Sequence, residues 1–298
     1  MATLLTDDDV APVLTPQLAM DAVRGVIRAH ATGEAAGGPR VHADLGSSLG
    51  VGEMTFTVGA TPEVYGYRSY DSLGAGKVDQ IVTCLDRRTR RVKYVHVGSL
   101  VGISRTGAIG GVAVDAMADP AATTLAVIGS GIQAYWQVWA INAARPLTDV
   151  RVYSPTPKRR TAFAQRVTER IGAPITVFDD PQQAVDGAQI VVLATTATEP
   201  VIDTAWLTDG AHVNALGPKV PGAAEYDEAL LRESFITADS VAQLAATAGD
   251  SAGARPLGEF LDRSGDRMHG KRLTLFQSCG LAGTEVALLD ALGNALTP

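Results

Sequence analysis

Behind Thr15-Pro16, apolar residues recur at helical spacing: Leu18, Ala22, Val26 and Ala29 share one face, and the threonine and proline supply a cap and a first-turn start. Beyond Arg40 the period changes. As far as about Val97 the chain reads as short alternating runs, Val51 to Val58, Val64 to Tyr70 and Ile81 to Leu85, which predict half-buried strands. Asp86-Arg87-Arg88-Thr89-Arg90-Arg91 is a polar break with the character of a hairpin tip, its arginines on a solvated turn. Small and apolar residues from Leu100 to Met117 predict a buried helix that ends before Asp119-Pro120, a domain hinge. After the hinge, strand-like runs at Thr124 to Ile128, Val150 to Tyr153, Ile175 to Phe178, Ile190 to Ala194, His212 to Ala215 and Phe235 to Thr237 alternate with helical segments. That alternation predicts an α/β fold with a doubly wound parallel sheet. A last helical pattern covers Gly280 to Leu292.

The most informative stretch is Thr123 to Ala134, where a buried strand runs through Gly129-Ser130-Gly131-Ile132-Gln133-Ala134 into a helix. The first glycine permits the turn, the second lets backbone amides approach a pyrophosphate, and Ala134 keeps the helix close to the sheet. With a strand before it and a helix after it, the motif predicts a Rossmann-type dinucleotide site, with Gly129, Ser130, Gly131, Ile132 and Gln133 as its contacts. In this architecture an acid at the end of the second strand selects NAD by binding the ribose hydroxyl. Here the segment is Val152-Tyr153-Ser154-Pro155-Thr156-Pro157-Lys158-Arg159-Arg160, with no acid. Ser154 and Thr156 can bond a 2′-phosphate and Lys158, Arg159 and Arg160 supply charge, so NADP(H) is favoured over NAD. Thr195, Thr196 and Asn214 stand at strand ends, where this sheet places ligand contacts; strand-end capping is the alternative reading.

Composition narrows the partners. With 298 residues and a net charge of −7, the chain has room for two domains and disfavours nucleic acid or an anionic membrane. Cys84 and Cys279 form no CxxC pattern, and His30, His42, His96, His212 and His269 show no metal-ligand spacing, so no metal is expected. Ser47-Ser48 and Ser278 lack a nucleophile elbow; Ser278 is placed near the nicotinamide or packed beside Gly280. No basic-then-apolar leader is seen, and no apolar run is judged to reach the roughly eighteen residues of a membrane span, so a cytoplasmic protein is expected.

Several spaced segments resemble the ornithine cyclodeaminase/mu-crystallin family: Gly38-Pro39-Arg40-Val41-His42, Gly52-Glu53-Met54, Tyr65-Gly66-Tyr67-Arg68, Leu100 to Ala108, Gly210 to Gly217, and Thr274 to Ala282. The resemblance implies a homodimer. It also implies a substrate-binding and dimerisation domain of α+β type over 1–118 and 280–298, with a Rossmann domain over 119–279. By the same resemblance Arg40, Arg68 and Arg105 line the substrate pocket. Arg105 would clamp an α-carboxylate, and an arginine inside an otherwise apolar helix agrees with that role, since an unpaired charge there is costly. Glu53 matches a position that contacts substrate nitrogen; an equal reading makes it the charge partner of Arg40 or Arg68.

Two departures bear on the chemistry. Arg68 stands where the family usually has lysine, and Lys219 where it usually has an aspartate proposed as acid/base. Arginine does not shuttle protons near neutral pH, whereas Lys219 could if its pKa were lowered, or could face solvent. Hydride transfer needs neither group. The expected activity is therefore NADPH-dependent reduction of an imine (ketimine) of an α-keto acid to an amino acid, with Lys219, Glu53 and Arg68 as candidate catalytic groups. The alternatives are an ornithine- or lysine-type cyclodeaminase, an amino-acid dehydrogenase, or an NADPH-gated small-ligand-binding protein.

Overall fold

The computed structural model describes residues 2–46, 52–71, 79–248, 253–262 and 269–297. Ser47, Ser48 and Val51 lie outside the described residues. The chain divides into two compact units, 1–105 with 280–298, and 106–279, so the boundary falls inside the helix Leu100–Met117, ahead of Asp119-Pro120.

In the first unit the described residues form a seven-stranded sheet. Its strands are β1 (Thr3–Thr6), β2 (Ala36–Gly37), β3 (Val41–Asp44), β4 (Glu53–Ala60), β5 (Val64–Asp71), β6 (Gln80–Asp86) and β7 (Val92–Gly98). The order is β1-β7-β6-β5-β4-β2, with β3 also paired to β4. The helix Pro16–Ala31 begins as its sequence requires, with Thr15 accepting from the Leu18 amide. The helix Thr284–Leu296 lies on β5 and β6 and against Pro16–Ala31, burying Val286, Leu288, Leu289 and Leu292.

Cross-strand partners share a face of the sheet, and the register therefore separates two surfaces. Thr57, Arg68, Val82 and His96 follow one another across β4, β5, β6 and β7. Thr57 and Arg68 meet the helix Thr284–Leu296 from this face. On the other face Val58 pairs with Tyr67, Ser69 with Ile81, and Val41 with Phe56. Four apolar side chains there, Val41, Val58, Tyr67 and Ile81, are exposed.

The second unit holds an eight-stranded sheet among its described residues, from β8 (Thr124–Ile128), β9 (Asp149–Tyr153), β10 (Ile175–Val177), β11 (Ile190–Leu193), β12 (His212–Ala215), β15 (Ser234–Ala238), β16 (Arg255–Pro256) and β17 (Leu273–Gln277); β13 (Lys219–Val220) and β14 (Ala223–Ala224) form a separate small ribbon. The order is β10-β9-β8-β11-β12-β17-β15-β16, and each pairing is parallel. This is the doubly wound arrangement that the alternating pattern predicts. One apolar core packs Val127, Val138, Phe163 and Val192, and a second packs Ile128, Val191, Val213 and Leu275, so both faces of the sheet are covered.

One expectation is corrected. The helix Leu100–Met117 is long and apolar enough, by length and composition, to cross a membrane. In the protein that stretch is 78% buried and carries Arg105, as a core helix does.

Candidate active site

The glycine turn of the second unit has the geometry of a dinucleotide cradle. Gly129 lies at φ 117° and its amide donates to the Tyr153 carbonyl at 2.8 Å, joining the ends of β8 and β9. A Cβ at Gly129 would collide with the carbonyl oxygen of Ala194. At Gly131 a Cβ would meet nothing within 4 Å. Gly131 begins the helix Ile132–Ala144 without any side-chain cap, so its first amides remain directed outward for an anion. A cavity of about 530 Å³ opens over this turn, lined in part by Gly129, Ser130, Gly131, Ser154, Thr156, Arg159, Thr195 and Thr196. Open space at the second glycine, uncapped amides and a basic side chain on the wall fit a dinucleotide.

Not every candidate lines that cavity. Ile132, Gln133, Lys158, Asn214 and Ser278 do not. Lys158 is exposed, and Arg160 turns inward, donating to the Ser154 carbonyl at 2.9 Å and pairing with Asp179. Asn214 is the clearest correction. It is wholly buried inside β12, its amide donates to Gly110 O and Gln137 Oε1, each at 3.1 Å, and its Oδ1 faces His212 Nε2 at 2.9 Å. Those bonds use the side chain inside the protein and leave nothing for a cofactor. Ser130 Oγ donates to Ser154 Oγ at 2.9 Å, which ties the turn to the segment after β9.

Thr195 is held by an acid that sequence reasoning missed. Glu225, fully buried, accepts from the Thr195 amide at 3.0 Å, the Thr195 hydroxyl at 2.8 Å and the Gly217 amide at 2.5 Å. It therefore bolts together the segments that leave β11 and β12. Burial pushes its carboxyl up, against the pull of those donors. Lys219 follows on β13, where its ammonium donates to Gly217 O at 2.8 Å and Leu216 O at 3.4 Å. It lines a second cavity of about 430 Å³ with Tyr226 and Gln277.

In the first unit the three candidate arginines converge. Arg105 Nη2 lies 2.8 Å and Arg68 Nη1 3.2 Å from the same oxygen, Oε1 of Glu285. Thr57 donates to that oxygen at 3.3 Å, and the Thr284 hydroxyl to Oε2 at 3.3 Å. Glu285 is wholly buried. Burial would raise its carboxyl, but the guanidinium groups of Arg105 and Arg68 outweigh it and hold the acid below the usual carboxylate range. Burial, and then the Arg105 charge, pull Arg68 below its ordinary value, with Glu285 opposing them. Arg40 arrives at Gly280: a Cβ on that glycine, at φ 77°, would lie 2.6 Å from Arg105 Nη1 and 3.1 Å from Arg40 Nη2.

The carboxylate that balances Arg68 is thus Glu285, not Glu53. Glu53 pairs with His42 across β3 and β4, and both side chains are substantially exposed. Arg105 is 2% exposed, and two of its buried nitrogens, Nε and Nη1, have no partner among the described residues. Arg68 Nε is likewise buried without one. Buried guanidinium donors left open beside further positive charge are prepared for an anion, and the fork suits a carboxylate.

The sequence profile of the Ornithine cyclodeaminase/mu-crystallin family matches residues 4–295. The chain belongs to this family. It is 32% identical over 234 residues to a Delta(1)-pyrroline-2-carboxylate reductase of Bacillus cereus, covering 74% of this chain and 72% of that one. To the ketimine reductase mu-crystallin of Mus musculus it is 30% identical over 222 residues, covering 72% and 69%. The solved structure of Thermococcus litoralis Delta(1)-pyrroline-2-carboxylate reductase, in complex with NADH and L-proline, superposes with a TM-score of 0.86 at 25% identity, over 98% of this chain and 96% of that one.

Proposed function

We propose that this family member is an NADPH-dependent reductase that converts the C=N bond of an imine of an α-keto acid to an amino acid. The observation that carries this reading is Arg105, a buried guanidinium with two open donors beside Arg68 and Arg40. A carboxylate fills those donors, and Glu285 fixes the angle at which they are offered. Nicotinamide, when bound, supplies the hydride. Gly129, Ser130, Gly131, Thr156, Arg159, Thr195 and Thr196 would hold the dinucleotide. Lys219 is assigned to the turn after β12, because its ammonium is engaged by two backbone carbonyls; no deaminating step is assigned to it.

The test is NADPH oxidation against preformed cyclic ketimines and amine/keto-acid mixtures, with ammonia release from diamino acids as the contrary outcome. The preference for NADPH is supported by Ser154 and Arg159 on the cavity wall and by the lack of an acid between Tyr153 and Arg160. Arg159→Ser is expected to weaken NADPH about tenfold, the worth of one charge-assisted contact, and to leave NADH within about twofold. Fluorescence titration of both cofactors checks this, and equal losses would assign Arg159 no part in the choice.

The homodimer is supported by the exposed apolar face of the first sheet. Val41, Val58, Tyr67 and Ile81 cover neighbouring strands, and a surface of this kind is buried most simply by its own copy through a two-fold axis. Tyr67→Glu should halve the solution mass measured by light scattering; an unchanged mass would remove this face from the interface.

A further inference from the structure

Imine reduction, on which this inference rests, needs an acceptor for the substrate's N–H as well as donors for its carboxylate. Glu53, the acid expected at the nitrogen, is engaged by His42. Next to the arginines stands a different acceptor. Gln80 opens β6 on the face that carries Val82 and Arg68, it is 6% exposed, and its Oε1 is buried with no hydrogen-bond partner among the described residues. A Cβ on Gly102 would collide with that oxygen and lie 3.3 Å from both Nε and Cζ of Arg68. The Gln80 amide, Arg68, Glu285 and Arg105 therefore form one continuous cluster within the first unit.

The unfilled valences of this cluster have a pattern. Among the described residues Arg105 Nε and Nη1 and Arg68 Nε are donors without acceptors, and Gln80 Oε1 is an acceptor without a donor. Buried polar atoms are left open at a cost and persist where a ligand completes them. An α-imino or α-amino acid carries the complement on adjacent atoms, with carboxylate oxygens that accept and an N–H that donates. A keto acid or an ether analogue supplies the carboxylate but no hydrogen to donate at the neighbouring position. We propose that Gln80 Oε1 accepts the hydrogen bond of the substrate nitrogen and so selects the protonated imine and the amino-acid product over keto acids and ether analogues, which have no hydrogen to donate there. A neutral carbonyl suits this role, because its dipole favours the iminium charge and it forms no competing ion pair with Arg68.

The experiment compares L-proline with (S)-tetrahydrofuran-2-carboxylate, of the same ring size and carboxylate but with oxygen for N–H, by calorimetry on the protein saturated with NADP⁺. Wild type should prefer L-proline by about 10- to 100-fold, the range of one hydrogen bond from a charged donor. Gln80→Leu should abolish that preference, leave affinity for the ether unchanged, and not lower the thermal midpoint, because the lost oxygen has no partner in the free protein. Gln80→Glu, which keeps an acceptor but offers it to Arg68 as well, should retain only part of the preference. Equal binding of the two ligands by wild type, or equal weakening of both in Gln80→Leu, overturns the assignment. Should the preference hold while no imine is reduced, the proposed function falls and Gln80 stands as a reader of α-amino acids. Should imines be reduced while the two ligands bind alike, Gln80 alone falls.

Discussion

Replacing Arg105 by methionine is expected to lower kcat/KM for an α-imino acid by about a thousandfold, because two hydrogen bonds from a buried charge to a carboxylate are lost together. The same change disturbs the fold. Glu285 is wholly buried and, among the described residues, is left with Arg68 as its paired counter-charge, so stability should drop by up to about 3–5 kcal/mol, the usual cost of breaking a buried ion pair. Arg105→Lys separates the two effects. A lysine can still neutralise Glu285 and should restore most of the urea midpoint, yet it has no second arm for the substrate carboxylate and should restore little of kcat/KM. Steady-state kinetics beside urea denaturation would settle the matter; a lysine variant with near wild-type kcat/KM removes Arg105 from the carboxylate site.

The two glycines of the dinucleotide turn should fail in opposite ways. Gly129→Ala places a methyl group against the Ala194 carbonyl in a backbone conformation, φ 117°, that alanine resists, and should cost roughly 2 kcal/mol or more of stability before any ligand is added. Gly131→Ala meets no atom of the protein within 4 Å and should leave the urea midpoint unchanged. Its methyl group would occupy the approach to the helix amides, and NADPH affinity should fall about 100-fold as hydrogen bonds to a charged phosphate are lost. Denaturation and cofactor titration of the pair give the contrast, and unaltered NADPH affinity in Gly131→Ala would place the pyrophosphate elsewhere.

Much of the second unit is legible in the sequence for a physical reason. Parallel strands covered on both faces read as unbroken apolar runs, as at Leu125 to Ile128 and Ile190 to Leu193, which are entirely buried. β17 is equally buried but reads Leu-Thr-Leu-Phe-Gln, an interrupted pattern, because Thr274 bonds His212 and Gln277 bonds Tyr226 inside the protein. Asn214 misleads by the same mechanism: a polar residue near a strand end looks poised for a ligand and proves to be tied to Gln137 and His212.

In the first unit the arginines are legible and their organiser is less so. Glu285 does carry a signal, for it is a lone acid in Leu281-Ala-Gly-Thr-Glu-Val-Ala-Leu-Leu, as Arg105 is a lone cation in an apolar helix. Two such charges in one chain ask to be paired, since neither is tolerated alone. Gln80 carries none. A glutamine at the head of a strand is ordinary until the packing of Gly102 and Arg68 around it leaves its oxygen unserved.

The position of Glu285 also sets an order on the making of the protein. Arg105 precedes it by 180 residues and Arg68 by 217, and the whole second unit is encoded between. During synthesis both guanidinium groups leave the ribosome long before their counter-charge, and burying them unpaired would cost several kcal/mol each. The two arginines therefore cannot be buried as ion pairs with Glu285 until the whole second unit has been synthesised. The helix Thr284–Leu296 carries the carboxylate that fixes both guanidinium groups, so their arrangement in the nascent chain waits on a segment made after the entire second sheet.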